Sequence, residues 1–375
     1  MCVAPLSLEK LENMKKFQYK TTDESLLYNK CMSPCLNKVV NILPYKLAPN
    51  LITLFSLCCN IIAAIYTYND VGFDFEKELK HKTCIIIGIT QFLYQILDNL
   101  DGKQARRTGT SSPFGMLLDH GCDIFTNLLS GFNMTHMLLL GNNNFWSFSC
   151  FFGLILGFYS MTYEEYKLGE MFFPIINATD EGNIMFSSLC VLLGIFGQNI
   201  LKRNLYKNYL TVGQAGGLFV TCGGISCVYN LFLHTYKKRG IRQFPNIIFD
   251  WIYFYIVLIF PIFYIYKDNL FYVQNKWIII LVSGFLFARE TIDLQIKIVT
   301  MDKVKVNFFV FLMNILIIFS FFIEREKYKL FFLYVICTME ISELIMFIIL
   351  RANEITNFLG IKILTINPRM EINVI

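Results

Sequence analysis

The sequence predicts an all-α, polytopic membrane protein, and three observations lead to this fold class. Of its 375 residues, 55% are hydrophobic and only 16% are charged, with a mean hydropathy of +0.49, whereas an ordinary soluble domain carries about 25% charged residues. Its 37 Phe and 20 Tyr exclude a disordered chain, which could not keep so much apolar surface in water. The apolar residues also cluster in runs of about 20, the length that a helix needs to cross a bilayer.

About ten transmembrane helices are predicted after a charged N-terminal segment. Residues 1–46 are mixed in character, with Pro34 and Pro44 as breaks, and are expected to form a cytosolic or interfacial cap. In lipid every peptide group needs an internal hydrogen bond, so each apolar run is predicted to be a helix. The runs are 47–69, 83–101, 114–140, 145–165, 183–201, 211–234, 246–266, 277–298, 305–323 and 329–350.

Basic residues predict the orientation of these helices, because loops rich in Lys and Arg remain in the cytosol. Such residues follow the second run, at 103–107, and the sixth run, at 237–242. An even number of crossings separates the two positions, so both termini are expected to face the cytosol. Lys202, Arg203 and Lys207 disagree, since they would lie on the lumenal side. Either the rule is overridden there, or the count in this middle part is wrong by one span.

Four aspartates within the second and third runs need an explanation. An Asp at the centre of a membrane helix costs roughly 2.5–3.5 kcal/mol, so four unpaired ones would cost on the order of 10 kcal/mol. At about 100° per residue, Asp98 and Asp101 share one face of the second helix, and Gly115, Asp119 and Asp123 form a stripe along the third. A short loop makes these helices antiparallel neighbours. The four carboxylates can therefore converge on divalent cations, which prefer oxygen ligands.

Residues next to the acids suit a bound diphosphate. Gly102 and Gly115 have no side chain, so a bulky ligand can approach the backbone beside the metal ions. Arg106 adds a planar fork of donors that matches a phosphate. The alternative is that the acids form salt bridges with Lys103, Arg106 and Arg107, or lie in the hydrated headgroup region. Ionisable residues inside a membrane more often mark a functional site.

The spacing of these residues resembles a known family. From Asp98 to Asp123 the chain reads D-x2-D-G-x2-A-R-x8-G-x3-D-x3-D, which is similar to the signature of the CDP-alcohol phosphotransferases. The resemblance implies transfer of a phosphoalcohol group from a CDP-alcohol to a second hydroxyl, with release of CMP, on two Mg2+ or Mn2+ ions. It implies that Asp98, Asp101, Asp119 and Asp123 bind the metal ions, and that the last acid is the favoured base. The residues expected to contact the CDP moiety are Gly102, Ala105, Arg106, Gly115 and Asn50.

Further segments resemble one branch of that family, the eukaryotic choline and ethanolamine phosphotransferases. The similarity lies at residues 19–25, 47–54 and 163–182. It implies CDP-choline or CDP-ethanolamine as donor and diacylglycerol as acceptor, giving phosphatidylcholine or phosphatidylethanolamine. The expected location is the endoplasmic reticulum or the Golgi, with the active site facing the cytosol. The chain then divides into an N-terminal segment (1–46), a catalytic helical core (47–234), additional transmembrane helices (235–350) and a cytosolic tail (351–375).

One departure from this branch affects the base. Met116 stands where the branch often carries Glu, which would cooperate with the following His in proton transfer. The acid partner is absent here, so Asp123 is the favoured base and His120 is the second candidate.

A head-group site is expected in a segment rich in aromatic and acidic residues. A quaternary ammonium favours an aromatic face and a nearby acid, although anchoring at the membrane interface explains the aromatic residues equally well. Its first residue is Tyr, where the branch commonly has Trp. The residues of the segment are Tyr163, Glu164, Glu165 and Tyr166.

Other functions stay open at this stage. Within the enzyme class, the alternative is a relative that uses CDP-diacylglycerol with a soluble alcohol, such as inositol or glycerol phosphate. Outside it, a transporter whose acids bind a coupling ion and a non-catalytic scaffold are the alternatives. A net charge of +5 spread over many connectors argues against nucleic acid as a partner. Gly213, Gly216 and Gly217 could pack helices closely, which would allow a homodimer.

Overall fold

The computed structural model describes residues 4–142, 144–206, 209–305 and 307–366, and within these ranges the chain is mainly helical. The prediction of an all-α polytopic membrane protein is confirmed. The helices are α1 (Leu8–Lys16), α2 (Ser33–Ile42), α3 (Pro49–Val71), α4 (His81–Thr108), α5 (Pro113–Met137), α6 (Asn144–Leu168), α7 (Asn183–Phe196), α8 (Val212–Arg239), α9 (Phe244–Asp250), α10 (Ile252–Lys267), α11 (Asn269–Thr300), α12 (Phe308–Ser320) and α13 (Glu326–Leu359).

Each of the ten apolar runs falls on helix in the structure. Among the described helices, α3, α4, α6, α8, α11 and α13 are long and apolar enough to cross a membrane. The bent pair formed by α9 and α10, whose axes differ by 59°, is a seventh candidate. Helices α7 and α12 have only 14 and 13 residues. The count of ten crossings is therefore not confirmed.

Helices α3 to α8 run back and forth between two ends of the molecule. His81 Nδ1, at the start of α4, lies 2.7 Å from the carbonyl oxygen of Gly194 near the end of α7. Lys202 pairs with Glu78 in the connector before α4. The connector between α7 and α8 thus lies at the end opposite the aspartates, as the sequence count placed it, so basic residues occur in connectors at both ends of the helices. Lys207 lies outside the described residues.

Two pairs of very short strands fasten the connectors. β1 (Thr21–Asp23) pairs in parallel with β2 (Met171–Phe173), which follows α6. β3 (Asn204–Tyr206) pairs antiparallel with β4 (Leu210–Thr211) before α8. The first pair matters for the site, because it holds the N-terminal segment against the end of α6.

Glycine allows α6 and α8 to approach closely. A Cβ at Gly153 would lie 2.6 Å from the carbonyl oxygen of Val220, and a Cβ at Gly224 would overlap the backbone of Gly153. Lipid tails are as apolar as the helices, so helix association in membranes depends on such close contact rather than on the hydrophobic effect.

The three glycines expected to allow a homodimer face the interior of the same chain. A Cβ at Gly213 would overlap the carbonyl oxygen of Leu138, and one at Gly216 would lie 3.0 Å from the side chain of that leucine. A Cβ at Gly217 would lie 3.1 Å from Leu140. These glycines are used within one molecule, so the structure gives the homodimer no support.

Both ends of the described chain meet at the start of α5. Leu11 and Met14 of α1 pack with Phe114, Val299 and Ile355, from α5, α11 and α13. The N-terminal helix and the last helix therefore border the same region as the aspartates.

Candidate active site

The sequence specifies the turn that joins α4 to α5. Gly109 follows α4 with a φ of +67°, and its N–H donates to the carbonyl oxygens of Ala105 and Arg106. This left-handed conformation favours glycine. Ser112 caps α5 and accepts a hydrogen bond of 3.0 Å from the N–H of Gly115. The short turn brings the start of α5 next to the end of α4.

Three of the four aspartates converge between these helices. One carboxylate oxygen from each of Asp98, Asp119 and Asp123 lies within 4.8 Å of the other two. Asp101 lines the same cavity as these three acids. The structure thus brings all four acids to one place.

The free oxygen atoms of this cluster suit a divalent cation. Asp98 Oδ1 and Asp119 Oδ1 are buried and have no hydrogen-bond partner within the described ranges. A buried anionic oxygen without a donor is costly unless a cation lies beside it. Carboxylate oxygens are ligands that hard ions such as Mg2+ prefer. The arrangement therefore fits a divalent metal centre.

Two hydroxyl groups orient the acids, and the sequence analysis identified neither. Thr53 Oγ1, one turn into α3, donates a hydrogen bond to Asp101 Oδ2. Tyr94 Oη donates to Asp123 Oδ1 at 2.9 Å. Tyr94 lies four residues before Asp98 on α4, so helical spacing could have indicated it. No pattern in the sequence marks Thr53.

The acids line a cavity of about 1250 Å³ at one end of the helices. Its wall is formed by the N-terminal segment, the start of α3, the end of α4, the start of α5, part of α6 and residues 359–366. The space is large enough for a nucleotide, since ligand pockets commonly measure about 300–1,000 Å³. All five positions expected to contact CDP line it, namely Gly102, Ala105, Arg106, Gly115 and Asn50.

Two polar side chains of this cavity lie beside glycines. A Cβ at Gly102 would lie 3.4 Å from Arg106 Nη1, and one at Gly115 would lie 3.8 Å from Asn50 Oδ1. Arg106 is exposed, and we find no acceptor for its guanidinium among the described residues. Arg107 differs, because it donates to two backbone carbonyls at the end of α2. Only the first of these arginines is available to a ligand.

His120 lies in the cavity beside Tyr19. The two rings are 5.6 Å apart between centroids and meet edge to face. Tyr19 lies outside the membrane helices and is 42% exposed as a whole residue. Desolvation of its hydroxyl, together with nearby carboxylates, raises the pKa of that group, which therefore stays protonated. Met116 also lines the cavity, so an apolar side chain faces this space.

The four residues expected to form a head-group site point in different directions. Consecutive residues on a helix are about 100° apart, so they cannot face one ligand together, and none of the four is among the described residues that line the cavity. Glu165 Oε2 is buried without a described partner. The other three contact residues elsewhere, in the pairs Tyr163–Asp250 (2.5 Å), Glu164–His234 (2.6 Å) and Tyr166–Val304 (3.1 Å).

Carboxylates outside the membrane helices border the same cavity. Burial raises the pKa of Asp180 to about 6, and the charges of Asp23 and Glu181 add to this effect. Burial also acts to raise the pKa of Glu181, but hydrogen bonds from the backbone of Asn177 and Leu27 outweigh it, so this pKa lies below its ordinary value. Glu181 thus ties the N-terminal segment to the turn before α7.

Comparison with known proteins gives a consistent result. A sequence model of the CDP-alcohol phosphatidyltransferases matches residues 46–180. A CDP-alcohol phosphatidyltransferase class-I family protein of Dictyostelium discoideum is 33% identical over 240 residues, 64% of this chain and 57% of that protein. Cholinephosphotransferase 1 of Xenopus laevis is 28% identical over 314 residues, 81% of this chain and 76% of the relative. Cholinephosphotransferase 1 of Gallus gallus is 31% identical over 229 residues, 61% of this chain and 68% of the relative. The chain therefore matches little more than half the length of the Dictyostelium relative.

Proposed function

The chain belongs to the CDP-alcohol phosphotransferase family, and on this basis we propose that it transfers phosphocholine or phosphoethanolamine from the corresponding CDP-alcohol to diacylglycerol. The products are phosphatidylcholine or phosphatidylethanolamine, together with CMP. Similarity to proteins named cholinephosphotransferase 1 supports this choice of donor and acceptor.

One observation carries the proposal: three converging carboxylates, two of which have a buried unpartnered oxygen, share a large cavity with Arg106. Asp98, Asp101, Asp119 and Asp123 would hold two Mg2+ or Mn2+ ions. When bound, such ions would neutralise the diphosphate and align it for in-line displacement. Arg106 would contact a phosphate oxygen, and the glycines beside it would leave room for the nucleotide.

The reaction forms one bond and breaks one. The acceptor hydroxyl oxygen attacks the phosphorus that carries the head-group alcohol, and the bond from that phosphorus to the oxygen of CMP breaks. CMP leaves with the bonding electrons, and the hydroxyl proton passes to a base of the protein. This chemistry requires no covalent enzyme intermediate.

We propose Asp123 as the base, with His120 as the second candidate. The Tyr94 hydroxyl occupies Asp123 Oδ1 and leaves Oδ2 to accept the proton. His120 faces the same cavity, but Met116, one turn earlier on α5, cannot orient its ring as a carboxylate would. The structure supplies Asp123 with an orienting group that His120 lacks among the described residues.

We place the head group near Tyr19 and Glu165. Tyr19 lines the cavity, and Glu165 lies behind the cavity wall on α6 with Oε2 buried and without a described partner. An aromatic face beside a carboxylate suits an ammonium group. Tyr163, Glu164 and Tyr166 are left out of this proposal because each is engaged with another part of the chain.

The proposed location is the endoplasmic reticulum or the Golgi, with the cavity open to the cytosol. CDP-alcohols are water-soluble and diacylglycerol is a membrane lipid, so a site at the end of the helices can receive both. The basic residues at 103–107 next to the cavity support this orientation.

A transfer assay tests the proposal. Purified protein is given Mg2+ and diacylglycerol with labelled CDP-choline or labelled CDP-ethanolamine, and the labelled lipid is identified. We expect labelled phospholipid from the wild type and a loss of about 100-fold or more in Asp123→Asn, since a general base contributes roughly 10²–10⁴. Asp70→Asn is the matched control, because Asp70 lies at the opposite end of α3, where it pairs with Lys80.

The result also separates the alternative within the enzyme class. Labelled lipid formed from CDP-diacylglycerol and inositol or glycerol phosphate, with none from CDP-choline or CDP-ethanolamine, would overturn the proposed donor. Equal activity of Asp123→Asn and the wild type would overturn the proposed base.

A further inference from the structure

The chain beyond α13 forms part of the cavity wall. α13 ends at Gly360, whose φ of +66° turns the backbone away from the helix axis. Residues 361–363 then line the cavity. Asn50 Nδ2 donates a hydrogen bond of 2.7 Å to the carbonyl oxygen of Ile363. A residue near the start of α3 thus fixes a segment more than three hundred residues later.

Apolar contacts hold this segment and leave one cation free. Ile361 and Ile363 pack with a cluster that includes Phe114 and Leu117 at the start of α5. Lys362, between them, is exposed and lines the cavity.

Some basic side chains of the cavity wall have hydrogen-bond or ion-pair partners and others have none among the described residues. Arg107 is engaged with backbone carbonyls, and Lys15 lies 3.5 Å from Glu12 and over the ring of Phe358. Among the described residues of the wall, this leaves Arg106 and Lys362 without a hydrogen-bond or ion-pair partner. The acids of the wall are Asp23, Asp98, Asp101, Asp119, Asp123 and Asp180.

We propose that Lys362 binds the diphosphate of the CDP-alcohol together with Arg106; this inference rests on the proposed function. Divalent ions on the four central acids would neutralise those acids, but the diphosphate adds about two negative charges of its own. Arg106 and Lys362 are two unpaired cations in the same cavity. The long, flexible stem of Lys and its three rotatable donors suit a phosphate oxygen.

The proposal predicts a particular pattern of affinities. The diphosphate is common to all CDP-alcohols, so loss of Lys362 should weaken CDP-choline and CDP-ethanolamine by the same factor. It should leave the KM for diacylglycerol unchanged, because Lys362 has no role towards the acceptor.

Direct binding in the presence of Mg2+ tests this inference. The dissociation constant of labelled CDP-choline is measured by equilibrium dialysis for the full-length wild type, Lys362→Ala, Lys362→Arg and the control Lys38→Ala. Lys38 is exposed on α2 and does not line the cavity. We expect a loss of about tenfold in Lys362→Ala, as for one hydrogen bond to a charged group. Lys362→Arg should stay within about threefold of the wild type, and the control should not change.

The outcomes distinguish this inference from the proposed function. An unchanged dissociation constant in Lys362→Ala overturns the inference even if phospholipid is made. Equal weakening in Lys362→Ala and Lys362→Arg also overturns it, because the charge would then not be what matters. If the wild type binds CDP-choline but makes no phospholipid, the proposed reaction is overturned. The dissociation constants of the Lys362 variants then still decide the role of Lys362. If the wild type binds no CDP-alcohol, both proposals fail.

Discussion

Thr53 holds Asp101 from outside the acidic helices, through a hydrogen bond to Asp101 Oδ2. Groups that orient a metal ligand typically change metal affinity by 10–100-fold when removed. Thr53→Val keeps the shape of the side chain and deletes the donor. We therefore expect Mn2+ to bind at least about tenfold more weakly, measured by electron paramagnetic resonance of free Mn2+ without substrate.

A second threonine of α3 provides the control for this experiment. Thr67 donates to Asn133 Oδ1 at 2.8 Å, far from the acids. Thr67→Val should leave Mn2+ affinity unchanged. Equal loss in both variants would mean that the effect is a general disturbance of α3 and not an effect on Asp101.

The raised pKa of Asp180 predicts that the stability of the fold depends on pH. Its pKa of about 6 lies above the ordinary value of 3.8, mainly because the group is buried. A carboxyl group whose pKa is higher in the folded than in the unfolded protein stabilises the fold fully at pH values below its unfolded-state pKa. This contribution is lost as the pH rises through the folded-state pKa of about 6. Asp180→Asn stays neutral, so relative to the wild type it should gain up to about 3 kcal/mol between about pH 4 and about pH 7.

Thermal unfolding of both proteins in detergent across this pH range checks the prediction. Asp23 and Glu181 titrate in both proteins, so their contributions largely cancel in the difference. A difference in melting temperature that does not vary with pH would contradict the assigned pKa.

At the scale of single residues, the spacing of the acids predicted that they lie together. Adjacency of residues along one helix was a poor guide to a shared binding site. Asp98, Asp101, Asp119 and Asp123 could be found because helical geometry turns their intervals into shared faces. Thr53 could not, since a hydroxyl in an apolar run carries no pattern of its own. The segment from Tyr163 to Tyr166 was expected to act as one site, but a helix turns consecutive side chains apart.

Among the helices, the contact between α6 and α8 gives a sharp prediction. Gly153→Ala would place a methyl group 2.6 Å from the carbonyl oxygen of Val220, so the helices must separate. We expect a loss of about 1–3 kcal/mol, the usual cost of overpacking. Gly223→Ala is the control on α8, because a Cβ there meets nothing within 4 Å. It should be neutral or stabilising, since alanine favours helix.

Melting temperatures of the two glycine variants in one detergent decide this prediction. A drop confined to Gly153→Ala supports close packing of α6 on α8. Similar values for both variants would mean that the helices do not depend on this contact.

At the scale of elements, the sequence predicted where helices occur better than where they end. Apolar composition marked all ten runs, because lipid leaves few alternatives to helix. The run at 183–201 is shorter in the structure, since Gly197 adopts a φ of +82° and stops α7. The run at 246–266 is broken at Trp251, between α9 and α10. Nothing in its apolar composition indicates that break.

For the whole molecule, the order of the helices predicts which connectors share a side of the membrane. Cys31 and Cys35 are exposed near the cavity end, and Tyr209 is 77% exposed at the opposite end. In sealed microsomes, an impermeant maleimide should label the native Cys31 and Cys35 from the cytosolic side. With Cys2, Cys31 and Cys35 changed to Ser, Tyr209→Cys should react only after the membrane is permeabilised.

Labelling of Tyr209→Cys in sealed vesicles would contradict the alternating path through α7 and α8. Failure to label Cys31 and Cys35 before permeabilisation would contradict the proposed cytosolic orientation. The two results are independent, so the path of the chain and its orientation are tested separately.

At this largest scale, the sequence predicted the membrane fold and the paired acidic helices but not the wall that covers them. The hydrogen bond between Asn50 and Ile363 joins residues 313 positions apart, and no local periodicity records such a contact. The division of the chain into four segments stays a prediction.

The late position of this part of the cavity wall in the sequence also has a consequence for biosynthesis. A ribosome delivers α4 and α5 to the translocon more than two hundred residues before it reaches Lys362. During that interval the acidic helices are already inserted, yet the nucleotide would have only part of its surroundings. A nascent chain released early would keep the four aspartates and lack Lys362, so under the role proposed for this lysine the capacity to hold a diphosphate is acquired late in translation.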